Sequence, residues 1–315
     1  MAMTVSVAER STRSGGRERL SKSLLSSVRA YLFLLPTFCL IGVFAYYPAV
    51  SALFHSFTDW SGVLLGEWIG LANFSEMLSD RVLLTSIGNM VKVVVWGVLI
   101  SLTVPLIVAE LINSLRNGRA QYWYRLAFVL PIVVPGVVTL LVWRFIYDPD
   151  LGLLNSLLRA LGVAVKTRWL GDPKNAMYCL LFIGFPFAAG TNVLIYLAGL
   201  QSIGESILDA AKIDGALGLR RVIHIDLPLI RGQMRLLGIL SVIGGIQGFG
   251  AQLVLTNGGP GYATMVPGMW MYQTAFMYSR MGYASAIGTS MFILILGLTV
   301  LVMRYAQSSV EYGAE

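Results

Sequence analysis

The chain has 315 residues, of which 56% are hydrophobic and only 12% charged, about half the charged share of an ordinary soluble domain. That balance excludes a water-solvated globule and points to a protein whose main solvent is lipid. The formal net charge of +7 would suggest nucleic acid as the partner of a soluble protein. In a bilayer the placement of Lys and Arg sets orientation instead, and no nucleic-acid partner is expected.

Residues 1–30 form a basic, Ser-rich arm with Arg10, Arg13, Arg17, Arg19, Lys22 and Arg29. Clustered charge without apolar periodicity offers no face to pack, so the arm is assigned no fold and is expected to be flexible or to lie on the membrane surface. The apolar stretch after it is longer than the roughly 7 to 15 residues of a secretory signal core. Five more such stretches follow, so it reads as an uncleaved first span. A helix needs about twenty apolar residues to cross roughly 30 Å of hydrocarbon. Six such runs are present, in 31–57, 87–112, 124–146, 176–200, 236–255 and 283–303. The expected fold is therefore all-α and polytopic, with six transmembrane helices over 31–305 and a tail at 306–315.

Six spans put both termini on one face. Arg116, Arg119 and Arg125 in the connection after the second span, and Lys212, Arg220, Arg221, Arg231 and Arg235 after the fourth, share the face of the basic arm. The opposite connections hold mainly Arg81, Arg159, Lys166, Arg168, Lys174 and Arg280. By the positive-inside rule both termini are expected in the cytoplasm. The second outer connection, 147–175, carries Asp148-Pro149, Gly152 and Asp172-Pro173, which are turn and helix-start signals, and 151–165 is expected to form a surface helix. Cys39 and Cys179 fall inside spans, where a packed thiol is the ordinary state. His55 and His224 lack ligand spacing, so no metal site is expected. Lys92 is expected to snorkel, Glu110 to keep a solvated head near the cytoplasmic end of the second span, and Trp143-Arg144 beside Tyr147 to anchor at the outer interface.

The most distinctive segment is the polar island at 201–233. It reads Asp209-Ala-Ala-Lys-Ile-Asp-Gly215, then nine residues, then Ile225-Asp-Leu227-Pro228. Residues 206–214 suit a short helix with Ile207, Leu208, Ala211 and Ile213 turned inward and Asp209, Lys212 and Asp214 outside. Gly215 is a natural stop, since glycine accepts the left-handed conformation. A second helix from Ala216 towards Ile225 would end ahead of Pro228, because the residue before a proline avoids helical geometry. Taken alone, the pattern also suits an ordinary amphipathic loop.

The spacing acidic-Ala-Ala-x3-Gly-x9-Ile-x-Leu-Pro resembles the cytoplasmic loop of permease subunits from ATP-binding-cassette importers. It departs at one position, where Asp209 stands for the usual Glu and is one methylene shorter. Ser56-Phe-Thr-Asp-Trp60, Gly70-Leu-Ala-Asn-Phe74, Gly152-Leu-Leu-Asn155, Leu197-Ala-Gly-Leu-Gln201 and Thr256-Asn-Gly-Gly-Pro260 are similar to the carbohydrate-type branch, which includes permeases for maltose-like sugars and glycerol-3-phosphate. The resemblance covers about 31–304. It implies a type I importer permease fold in the inner membrane, paired with a second and different permease chain. It also implies two ATP-binding subunits, an external solute-binding protein and a sugar substrate. In the family the acidic-Ala-Ala helix seats in a groove of the ATPase. Asp209, Ala210, Ala211, Asp214, Gly215, Ile225, Leu227 and Pro228 are therefore expected to carry coupling, and Gly258, Gly259 and Pro260 to meet the binding protein or else to form a plain interhelical turn. The chain has no GxxxxGK[ST] phosphate-binding loop, so it is expected to be non-catalytic and to bind no cofactor, with ATP and Mg on the partner ATPase.

A solute path calls for polar and small groups inside spans, where unpaired polar atoms are otherwise costly. In the fourth span Gly184, Ala188 and Thr191 share a face flanked by Asn192, and Pro186 is a candidate break. In the fifth, Ser241, Gly245, Gly248 and Gln252 recur at helical spacing with Gly244 beside them. The same small residues would also permit close helix packing. The alternatives kept open are a permease for glycerol-3-phosphate or another polyol-like solute, an ATP-independent carrier, and a membrane-embedded transferase.

Overall fold

The computed structural model describes residues 31–63, 66–163, 166–185 and 190–305. The arm at 1–30 and the tail at 306–315 lie outside these residues, as do Pro186 and Ala188. Among the described residues the secondary structure is helical, apart from one isolated bridge between Thr58 and Trp68. The chain divides into two compact units, one up to Phe54 and one from His55.

The first unit is helix α1 (Tyr31–His55), whose last residue opens the second. It widens to a π-turn at Gly42–Tyr46, closed by Tyr47 N–H donating to the Gly42 carbonyl. Pro48 explains the widening. A proline has no N–H to give, and its ring would strike the carbonyl four residues back; an i→i+5 turn moves that carbonyl aside.

The second unit is built round a long helix. After α2 (Ala72–Met77) comes α3 (Arg81–Ser114), 34 residues and so about 50 Å at 1.5 Å per residue. Asp80 starts it, its carboxylate accepting from the N–H groups of Val82 and Leu83 at 2.8 and 3.1 Å, which satisfies two donors left orphaned at any helix start. There follow α4 (Gly118–Val129), α5 (Gly136–Ile146), α6 (Leu153–Ala160) and α7 (Ala176–Leu181). Next come α8 (Gly190–Gln201), α9 (Glu205–Ile213), α10 (Leu219–Leu229) and α11 (Arg231–Gln247). The last are α12 (Gly250–Leu255), α13 (Pro267–Phe276) and α14 (Met281–Tyr305).

α3 packs against α8 and α11 for much of its length. Their shared core is Leu106, Ala109 and Ile112 of α3, Val193, Tyr196, Leu197 and Leu200 of α8, and Leu237 of α11, joined by Ile203 and Ile230. Two polar ties lie in the seam between α3 and α8: Asn192 donates to Ser101 Oγ at 3.0 Å and the Tyr196 hydroxyl to the Ser101 carbonyl at 3.3 Å. At the Asp80 end, α13 and α14 close over α3 through Leu83, Tyr283 and Ile287 and through Met265, Val266 and Met269.

α1, α3 and α14 are each long and apolar enough to cross a membrane. Three bent pairs pass the same test when each is taken together, up to six in all: α4 with α5 (93°), α8 with α9 (74°) and α10 with α11 (72°), where α8 and α11 supply the apolar part and α9 and α10 the polar island. The all-α, six-span expectation holds, but three spans are not the straight rods their apolar runs suggest. The third begins at Gly118, tightens into a 3-10 turn at Leu130–Val133 and leaves at right angles as α5. Pro131 and Pro135 remove two amide donors there and force the preceding Val134 into an extended conformation (ψ 124°). In the fourth, α7 ends at Leu181 and turns follow through Phe185, with helix described again over Gly190–Gln201. The fifth breaks at Gly248, whose ψ of 129° ends α11.

Candidate functional site

Three helix breaks meet round one cavity of about 620 Å³. Pro131, Gly136, Thr139 and Trp143 line it from the α4–α5 bend, Gly184, Phe185 and Gly190 from the gap between α7 and α8, and Gly250 and Ala251 from the start of α12. Broken helices expose backbone polar groups that a continuous helix would consume, and a bilayer tolerates such groups only where they line a cavity or are buried in protein. Sharing Gly250 and Ala251 with it, a smaller space of about 220 Å³ is walled by Val93, Leu180, Leu181 and the stretch from Gly248 to Gln252.

The sequence-predicted path residues divide accordingly. Gly184 lines the large cavity and stands at φ +77°, a left-handed turn rather than a helix face. Gly248 and Gln252 line the small one. Thr191 is exposed and Asn192 is engaged with Ser101. Ser241 and Gly245 face α3: a Cβ on Gly97 would lie 3.3 Å from Ser241 Oγ, and one on Gly245 would lie 2.9 Å from Val94 Cγ2. Gly244 is exposed with open space before it. The fifth-span residues do not form one stripe, because the break at Gly248 interrupts the helical period that aligned them. Trp143, expected as an interfacial anchor, is part of the cavity wall. The wall residues missed in the sequence, Pro131 to Trp143, carried a legible signal in two prolines four apart within an apolar run.

The polar island forms α9 and α10. Ile207, Leu208 and Ala211 hold α9 to the core, with Ala211 3% exposed. Ile213, expected on that inner side, is instead 87% exposed, because at 3.6 residues per turn it lies about 200° round the helix from Ala211. α9 ends as a Schellman motif: Ala216 N–H donates to the Ala211 carbonyl at 2.8 Å, Gly215 N–H to the Lys212 carbonyl at 3.2 Å, and Gly215 adopts φ +70°. Asp209 lies on the exposed side, paired with Lys212 at 2.7 Å, and Leu217, Leu219 and Ile223 continue an exposed apolar surface beyond the glycine. The second helix does not stop before Pro228. It runs to Leu229 through a π-turn at Val222–Asp226, the device already seen ahead of Pro48. Ile225, Leu227 and Pro228 sit in this stretch. Glu110 is not solvated; its side chain is 13% exposed and faces Arg221.

At the other end of α3, Asp80 also accepts from Trp270 Nε1 (2.8 Å) and the Tyr283 hydroxyl (2.7 Å). Burial alone would raise its pKa, but the hydrogen bonds from Tyr283, Leu83, Trp270 and Val82 outweigh it and hold the carboxyl below the usual range. Arg280 binds Glu76 through both guanidinium nitrogens and lies 4.6 Å over the Tyr283 ring, and the Glu76 hydrogen bond raises its pKa. Gly258, Gly259 and Pro260 belong to a compact loop tied by Thr264 Oγ1 to the Gly259 carbonyl (2.8 Å). Gly259 and Pro260 border a cavity of about 430 Å³ shared with Arg144, Arg168 and Trp169. Asn155, 1% exposed, fixes the neighbouring loop by donating to the Pro149 and Thr167 carbonyls and accepting from Trp169 Nε1. Among the described residues no cluster of His, Cys, Asp or Glu could hold a metal ion.

A helical membrane unit with broken spans round an open cavity and a polar helix pair bent away from its spans has the form of a solute-transporting permease. The chain belongs to the binding-protein-dependent transport system inner membrane component family, whose model matches residues 101–312. It is similar to the probable ABC transporter permease protein YurN of Bacillus subtilis, 32% identical over 89% of this chain and 97% of that one. The diacetylchitobiose uptake system permease protein NgcF of Streptomyces coelicolor is 31% identical over 91% and 85%. A bacterial alginate ABC transporter, solved with an alginate pentasaccharide-bound periplasmic protein, shares the fold at a TM-score of 0.82 and 20% identity, over 92% of this chain and 97% of that one. The chain is thus a multi-pass permease subunit of a carbohydrate-type ABC importer. It is non-catalytic, and ATP hydrolysis belongs to a separate chain.

Proposed function

We propose that this chain forms half of the translocation path of an ATP-driven, binding-protein-dependent oligosaccharide importer, paired with a different permease chain and two ATPase subunits. The 201–233 segment lies in the cytoplasm with both termini and seats on the ATPase. The observation that carries this reading is the placing of α9. Bends of 74° and 72° turn the α9–α10 segment away from the spans that flank it. Ala211 holds the helix from within, while Asp209, Ile213 and Leu217 face outward as a docking surface. Nucleotide-driven closure of the ATPase pair would then move α9 and shift the spans between inward-open and outward-open populations. In the path, Thr139 would offer a hydroxyl to sugar hydroxyls and Trp143 an apolar ring face, in a cavity large enough for a small solute.

Asp209→Lys reverses the charge of the docking surface without touching the core. It is expected to leave membrane insertion intact and to abolish uptake together with co-purification of the ATPase; normal uptake by this variant refutes the assignment. A binding screen of sugars on the cognate binding protein identifies the cargo. A second reading, an anionic solute such as glycerol-3-phosphate, is favoured by one feature, the pair Arg144 and Arg168 lining the 430 Å³ cavity, and the same screen decides it.

A further inference from the structure

The charged groups between α3 and α10 belong neither to the cavity walls nor to the exposed side of α9. Asp226, 1% exposed, accepts from Arg221 Nε at 2.9 Å through Oδ2. Glu110 Oε2 stands 4.0 Å from Arg221 Nη2. One guanidinium therefore serves two carboxylates, and Asp226 Oδ1 and Glu110 Oε1 are buried with no hydrogen-bond partner among the described residues. The backbone is shaped for this pairing. Positions 221 and 226 are five apart, which on an ordinary α-helix leaves their side chains about 140° apart. The π-turn at Val222–Asp226 closes that angle and sets both on one face. Pro228 maintains the widening, since a regular helix would drive its ring into the His224 carbonyl. The proline of the sequence motif and the buried ion pair are thus two parts of one arrangement.

We propose that Glu110, Arg221 and Asp226 form the joint through which movement of the 201–233 segment is passed to α3, a proposal that rests on the coupling reading above. The apolar contacts under α9 are non-directional and permit sliding. The close pair, Arg221 with Asp226, lies within α10 and holds the guanidinium in place. The link to α3 is the 4.0 Å approach of Glu110 to that guanidinium, which is directional and whose loss strands a carboxylate away from water, so it resists the parting of α10 and α3. Because α3 packs along α8, a pull delivered at Glu110 reaches the helix that borders the large cavity at Gly190. At 4.0 Å Glu110 stands roughly 1 Å beyond a charge-assisted hydrogen bond. A closing step of that size engages it fully, which gives the joint two stops. These are positioning residues; their effect on transport runs through α3.

The test uses the complete complex with its ATPase and binding protein in proteoliposomes, reading solute imported per ATP hydrolysed alongside unstimulated hydrolysis and assembly. Glu110→Gln keeps the side-chain shape. It and Arg221→Met are expected to assemble, to keep unstimulated hydrolysis near wild type, and to import roughly tenfold less solute per ATP. Arg221→Lys recovers part of the loss, since it restores the charge without the planar fork. Where either single variant fails to assemble, the triple variant Glu110→Gln, Arg221→Met, Asp226→Asn removes every stranded charge and is expected to assemble and remain uncoupled. Wild-type solute per ATP in assembled Glu110→Gln or in the triple variant overturns the joint. Failure of the coupling reading looks different: Asp209→Lys then imports normally.

Discussion

Gly244 and Gly245 are neighbours on α11 with opposite surroundings, and substituting each by alanine separates helix packing from path lining. A Cβ on Gly245 would lie 2.9 Å from Val94 Cγ2 and 3.0 Å from Val94 Cα, whereas a Cβ on Gly244 meets nothing within 4 Å. Ordinary carbon contacts fall near 3.5 to 4.0 Å, so Gly245→Ala must part α3 and α11 by about 0.5 Å. Overpacking of this kind costs about 1–3 kcal/mol. Replacing a mid-helix glycine by alanine returns roughly 0.5–1 kcal/mol at either position. Gly245→Ala is therefore expected to destabilise by about 0–2.5 kcal/mol and Gly244→Ala to stabilise slightly. The gap between the two variants, in which helix propensity cancels, should be about 1–3 kcal/mol. Thermal unfolding of the detergent-solubilised complex, followed by intrinsic tryptophan fluorescence, reads the two midpoints side by side. Equal midpoints, or a higher one for Gly245→Ala, would refute the close α3–α11 contact and return Gly245 to the path.

Asp80→Ala removes a helix cap and the acceptor of Trp270 and Tyr283. A loss on the order of 3 kcal/mol is expected from the cap and the charge-assisted bonds, measured by the same unfolding assay. The lowered pKa of Asp80 sets a pH window as well. Its contribution is complete above the unfolded carboxyl pKa of about 4 and is lost as pH falls through the still lower folded value, so Asp80→Asn should flatten the acid limb of the stability profile. Asn155→Ala leaves two half-buried carbonyls and the Trp169 indole without their bonds. It is expected to loosen the 147–175 loop, seen as faster proteolysis there while the span-protected fragments persist.

The helical membrane class was legible because bilayer thickness imposes a minimum apolar length, and the runs at 31–57, 87–112 and 283–303 meet it as nearly continuous helices. The short α9 and its glycine stop were legible for a local reason. Capping depends on residues a few positions apart, and Gly215 adopts the left-handed conformation that its lack of a side chain permits. The breaks in the third and fifth spans went unread, since apolar composition measures only transfer to lipid and is silent on where the backbone turns. Pro131 and Pro135 carried that information locally. In the fourth Pro186 was a candidate break, and it lies outside the described residues.

Other features depended on residues far apart in the chain. Asn192 pairs with Ser101, Gly245 meets Val94, and Glu110 faces Arg221 across more than a hundred positions. Periodicity can place each of these on a face of its own helix, but it cannot say which helix that face meets. By itself the sequence determined the solvent, the length of the spans and the short helix with its glycine stop, all of which follow from transfer energy and near-neighbour backbone geometry. Only the tertiary structure decided which small residues pack and which line a cavity, because that depends on where three helix breaks converge. It also brought Glu110 of the second span beside Arg221 and Asp226 of the polar island.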